Sequence, residues 1–270
     1  MAFFLAPALV LTPPVGFEPH DPVILWDNQV REAYITADSE TADDPITNAA
    51  NPGTDNVWTA ATATDPITIN VVLAGDGLIQ AVGIGYHNLG STGCSVAIWG
   101  KTAEEGAVFV ELNAASLLGN DEPAFLRISD VNLAELELRL VPNGTAPFIG
   151  AYYAGEVLTL DNGIEVGHTP ISDGDDVTLM NGYSQGSRYL GSIVTAAKRS
   201  SNPTIRLIDP DYYQARVRPF IRAFNRGVPF FYSWDGRDAG YCWASASTKP
   251  VISQRTGEYD VTLPMDGIAT

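Results

Sequence analysis

The five residues Gly182-Tyr183-Ser184-Gln185-Gly186 carry the G-x-S-x-G spacing that sets a serine nucleophile on a sharp strand-to-helix turn. Acyl transfer at such a serine needs a histidine to take the hydroxyl proton and an acid to orient that histidine, in the chain order serine, acid, histidine. The three histidines are His20, His87 and His168, and all precede Ser184, so that order cannot be completed. The residues after the serine, "RYLGSIV", alternate like a strand. The pattern therefore predicts a glycine-rich turn entering a strand, no catalytic residue, and a chain that is not an enzyme.

Metal chemistry finds no better footing. The histidines are far apart, without the H-x-x-x-H or H-E-x-x-H spacing of zinc sites. Asp38, Asp43 and Asp44, and again Asp173, Asp175 and Asp176, gather carboxylates in turns, but neither group has the closing glutamate of a calcium loop. No metal or cofactor is expected. Cys94 and Cys242 form no ligand spacing and read as free thiols. With 15 Lys and Arg against 32 Asp and Glu, the net charge of -17 excludes a phosphate-neutralising face and hence nucleic-acid sequence recognition. The charge is uneven: residues 1–160 hold 4 basic and 20 acidic side chains, whereas residues 161–270 hold 11 and 12. Such a shift points to two units.

The elements that position these residues are mostly strands. Ile67, Ile69 and Val71 alternate with polar residues; Val82, Ile84 and Tyr86 do the same, as do Leu136, Leu138 and Leu140. Asn-Gly pairs at 143–144, 162–163 and 181–182 supply tight turns. One segment is helical, over about 210–226. Asp209 stands as N-cap, Pro210 at the first helical position and Gly227 past the end, with Val217, Phe220, Ile221 and Phe224 on one apolar face. Pro219 should kink or restart it. Arg218, Arg222 and Arg226 form a stripe on another face, suited to an acidic partner surface. The first 21 residues are apolar but interrupted by Pro7, Pro13 and Pro14, which predicts an extended arm rather than a membrane segment. Its Phe3, Phe4 and Leu5 are expected at an interface between subunits.

Residues 22–160, and especially the run 45–101 with Asn48 to Asn51, Thr54 and Trp58, resemble the discoidin or galactose-binding-like jelly rolls. That resemblance implies loops at one end of the sandwich that can bind sugars, for which Asp55, Asn56, Trp58, Tyr86 and His87 offer the needed residue types. It equally implies that Trp58 packs in the core. Residues 161–270, with a hairpin over 188–209, the helix ending "FNRG", and the strands "VPFFYSW", "GYCWA" and "GEYDVTLPMDGIA", resemble distal tail proteins at the tail tip of long-tailed bacteriophages.

These readings combine into an all-β protein: an arm (1–21), an N-terminal jelly-roll sandwich (22–160), then a tail-tube-like β-sandwich or barrel with one α-helix (161–270), the boundary falling within 158–176. The resemblance implies a structural component of a phage tail tip, in a ring of itself (hexamer or trimer) and against tail tube and hub proteins, assembled in the bacterial cytoplasm and carried on the virion. The alternative it leaves is a receptor-recognition protein that binds a host surface glycan through the jelly roll.

Overall fold

The computed structural model describes residues 21–160, 163–164, 167–235, 239–253 and 255–268. Among these, seventeen strands follow in chain order. The first nine are β1 (Val23–Leu25), β2 (Ile35–Ala37), β3 (Trp58–Thr59), β4 (Ile67–His87), β5 (Ser95–Lys101), β6 (Val110–Leu117), β7 (Ala124–Val141), β8 (Phe148–Gly155) and β9 (Leu158–Thr159). The remainder are β10 (Asp175–Tyr183), β11 (Tyr189–Ser201), β12 (Thr204–Ile208), β13 (Phe230–Ser233), β14 (Ala239–Ala244), β15 (Val251–Ile252), β16 (Tyr259–Thr262) and β17 (Met265–Gly267). The expected all-β class is the observed one.

The N-terminal unit is a single antiparallel sheet in the order β3-β8-β4-β7-β5-β6, with β2 added on β4. The alternating runs are direct partners: Ile67 lies opposite Leu140, Ile69 opposite Leu138 and Val71 opposite Leu136. One face of each strand thus enters the same core, together with Trp58, Ile98 and Tyr152. β4 and β7 are long enough to serve two neighbourhoods. Early in its length β4 pairs β2 and β7, and later it pairs β7 and β8, with register shifts between Val72 and Gly77 and between Ile79 and Ala81. Such irregularities bend a strand, and the sheet curls around its own core.

The second unit is built on a seven-stranded sheet in the order β10-β11-β17-β14-β13-β1-β9, with a three-stranded sheet β12-β16-β15 beside it. β1 and β9, at the two ends of the predicted jelly roll, pair in this second sheet. The reason lies in their burial: Val23, Ile24 and Leu25 are all buried, because this sheet is covered on both faces. Ile24, Phe230, Tyr232 and Cys242 face the helix core, while Val23, Leu25, Phe231 and Tyr241 face Ala81, Ala151 and Tyr153 of the first unit. Strands buried on both sides read as continuous apolar runs, so alternation alone could not assign them to a unit.

The helical segment is α1 (Pro210–Tyr212), a π turn (Tyr213–Val217) and α2 (Arg218–Phe224). Asp209 Oδ1 accepts from the Asp211 and Tyr212 N–H groups, both at 2.9 Å, and Gly227 takes φ +76° just past the end. Just before Pro219, which has no N–H to continue the ladder, the helix widens into the π turn while the backbone stays right-handed helical through Val217 and Arg218. Val217, Phe220, Ile221 and Phe224 are buried, each worth roughly 1.5–3 kcal/mol relative to exposure. The arm residues Phe3, Phe4 and Leu5 lie outside the described residues.

Candidate functional site

The residues expected to bind sugar are not gathered into one concave surface. Trp58 is fully buried, its indole N–H donating to the Ser39 carbonyl at 3.1 Å. His87 is also buried, and its Nδ1 accepts from the Leu89 N–H at 3.3 Å. Both pair with Ile149 across β8, so both point into the core. Burial holds the His87 imidazole below its ordinary pKa of 6.5, against the opposing pull of Asp121 and Glu122. Burial pushes the Asp121 carboxyl up, but hydrogen bonds from Ser91 outweigh it and hold that carboxyl below the usual value; the Ser91 N–H donates at 2.8 Å.

Tyr86 breaks the alternation that predicted it beside Val82 and Ile84. Its φ of +50° turns the ring outward, where it is 41% exposed and tilts against Phe148 at 5.7 Å. Gly150 opposite leaves the room this needs: a Cβ there would lie 2.9 Å from the Tyr86 ring. Asp55 and Asn56 are exposed and bond to each other at 3.2 Å.

Ser184 sits in the turn of the β10–β11 hairpin. Its N–H donates to the Arg188 carbonyl (2.9 Å), and its hydroxyl accepts from the Arg188 N–H (3.1 Å). The hydroxyl thus closes a turn, with Ser187 at φ +58°.

That hairpin is the most unusual surface of the molecule. Among the described residues, eight of the nineteen exposed large apolar side chains belong to it, which makes its exposure a concentrated feature rather than scatter. Cross-strand pairs share a face: Leu179 with Val194 and Tyr183 with Tyr189 on one side, Met180 with Ile193 on the other. Leu190 is 70% and Ile193 69% exposed. The outer edge of β10 is unpaired among the described residues, and β11 meets β17 only at Arg199–Ser201. The shaft therefore offers two apolar faces and two free edges, over about 30 Å at the usual rise per residue.

The base, by contrast, is fixed. The Arg199 guanidinium takes Glu122 of the first unit in a two-pronged ion pair, with Nη2–Oε1 at 2.8 Å, and Nε donates to Asp175 Oδ1 at 3.1 Å. Lys198 Nζ reaches Asp266 Oδ2 at 2.9 Å. These partners raise the pKa of both cations. The signal for this site was present in the sequence as "VTLMNGYSQGSRYLGSIV", but an apolar strand pair is expected in a core until its neighbours are known.

The arginine stripe is exposed throughout. Arg218 donates to Gln214 Oε1 at 2.7 Å, and Arg226 lies past the end of α2, beside a cleft between the two units.

No protein-family model matches the chain, and no curated protein matches it. Among solved structures, it is similar to chitosan-binding module 1 of a chitosanase/glucanase from Paenibacillus sp. IK-5, with 14% identity, TM-score 0.42, and 48% of this chain covering 98% of that one. A family 32 carbohydrate-binding module of NanJ from C. perfringens, in complex with galactose, shows 13% identity and TM-score 0.38, covering 48% of this chain and 98% of that one. A GH29 fucosidase from Ruminococcus gnavus shows 10% identity and TM-score 0.39, over 46% of this chain and 25% of that one.

Proposed function

We propose that this protein is a non-enzymatic structural subunit that assembles with copies of itself through the β10–β11 hairpin, in the manner of a ring at the tail tip of a long-tailed phage. The observation that carries the reading is the hairpin's combination of a fixed base with a free, apolar, double-edged shaft. An isolated two-stranded ribbon is marginal in water, and an exposed apolar edge invites pairing with another chain. Adding each hairpin to its neighbour's edge would satisfy the ladder and bury both faces. A heterologous contact of that kind closes into a ring when the rotation permits.

The test is native mass spectrometry and electron microscopy of the full chain beside a Leu179→Ser, Leu190→Ser, Ile193→Ser variant, all three positions being exposed and outside the cores. The expected outcome is closed rings with a central opening for the parent chain and monomers of unchanged circular dichroism for the variant. A parent chain that stays monomeric at working concentration, or a variant that forms the same rings, overturns the proposal. So does partition of the parent into phospholipid vesicles without ring formation.

A further inference from the structure

A cleft of about 460 Å³ opens between the two units. Its walls come from three segments distant in sequence: the turn after β1 with Trp26, Asp27 and Arg31, the loop at Pro52, and the turn after α2 with Arg226 and Pro229. Each wall is anchored. Asn28 Oδ1 accepts from the Val30 N–H (3.0 Å) and the Ala154 N–H (3.1 Å), and its Nδ2 donates to the Tyr152 carbonyl (3.1 Å), so the turn carrying Arg31 is tied to β8. The Tyr241 hydroxyl donates to the Pro52 carbonyl at 2.6 Å, and the Tyr153 hydroxyl to the Pro229 carbonyl at 3.3 Å.

Two side-chain chemistries remain unspent at this cleft, and an indole in packing contact with the helix core lines it as well. Among the described residues neither Arg31 nor Arg226 is in an ion pair, in a chain of net charge -17. Arg31 makes only a long hydrogen bond to the Val30 carbonyl, at 3.4 Å. The Asp27 carboxylate accepts no hydrogen bond from any described residue. Trp26 is half-buried, tilted against Phe220 of the helix core at 6.2 Å, and lines the cleft together with Pro52 and Pro229. Guanidinium groups want a carboxylate, which they hold in a planar fork. A free carboxylate acceptor wants hydroxyl donors. A cleft lined by an indole and prolines suits the apolar face of a ring.

We propose that this interdomain cleft binds a small ligand of the acidic-sugar class, with its carboxylate between Arg31 and Arg226, its hydroxyls toward Asp27 and its ring against Trp26. The site is separate from the hairpin; one of its walls is the Pro52 loop that also carries Asp55 and Asn56, and it holds whether or not the chain forms rings.

The experiment is titration of the full chain with D-glucuronate, D-glucose and acetate in turn, followed by tryptophan fluorescence and saturation-transfer NMR at low salt. Glucuronate should bind saturably with a Kd on the order of 1 mM, at least tenfold more tightly than glucose or acetate. Arg31→Ala and Arg226→Gln should each weaken it about tenfold (~1.4 kcal/mol), whereas Arg222→Ala on the exposed face of α2 should leave it unchanged. Both arginines are exposed, so circular dichroism should not move. Equal affinity for glucose removes the need for the carboxylate, and equal affinity for acetate removes the need for the ring; either overturns the proposal. Absence of saturable binding, or binding that survives both substitutions, also overturns it.

Discussion

The ring of Phe231 lies directly on Gly83, so closely that a Cβ on that glycine would meet Phe231 Cδ2 at 2.6 Å. One residue belongs to β4 of the first unit and the other to β13 of the second. Gly85 repeats the arrangement beneath Tyr241, with 3.2 Å to its ring. The two glycines of "AVGIGYH" are therefore the floor on which the second sheet sits, while Val82 and Ile84 between them fill the opposite core.

Gly83→Ala should push the two units apart rather than unfold either. Overpacking of this kind costs about 1–3 kcal/mol. The expected result is a lower melting temperature together with faster proteolysis in the segment 161–176, read by mass spectrometry. A melting curve and digestion pattern equal to the parent's would show that Phe231 can swing aside at no cost.

His87 gives the protein a pH dependence. Its folded pKa is depressed below 6.5 by burial, so between those two values the unfolded chain binds the proton that the folded chain refuses. The contribution is complete above pH 6.5 and is lost as pH falls through the folded value. His87→Asn keeps an acceptor for the Leu89 N–H and removes the titration. It should cost under about 1 kcal/mol at neutral pH and flatten the decline of stability just below pH 6.5. Denaturant melts across that range check this, and parallel curves for the two proteins would contradict it.

Arg199 ties the hairpin base to Glu122 of the first unit, and its side chain is only 12% exposed. Arg199→Met should remove the two-pronged pair with Glu122, at a cost of about 1.5–3 kcal/mol. The distinctive readout is amide hydrogen exchange. Protection should fall in 175–201 and in the loop around Glu122 together, and not in the helix. Loss confined to the hairpin would mean that the bridge does not couple the two units.

Ser184→Ala removes the acceptor for the Arg188 N–H in an exposed turn. The expected change in stability is within about 1 kcal/mol, with no hydrolysis of a short-chain nitrophenyl ester by either protein. Ester hydrolysis by the parent that the substitution abolishes would reinstate the serine as a nucleophile.

What the sequence determined by itself was local. Period-two alternation marked β4 and β7 and even the residues that pair between them, because one buried face is enough to show in the pattern. Asp209, Pro210, Gly227 and the spacing of Val217, Phe220, Ile221 and Phe224 set the helix, since caps and amphipathic spacing act within a few residues. The absence of any histidine after Ser184 was likewise visible in chain order. Only the tertiary structure decided the rest. β1 and β9 pair in the second sheet, which the sequence could not show: burial on both faces erases alternation in β1, and β9 is too short to carry a pattern. Tyr86 turns outward through a positive φ opposite Gly150, a relation between two strands that neither one carries alone. The apolar run 177–194 proved to be a projecting hairpin, because apolar content states only that a surface wants covering and not which chain covers it. Arg31 and Arg226 meet at one cleft although 195 positions separate them, since two sheets packed face to face bring together whatever their connecting turns carry.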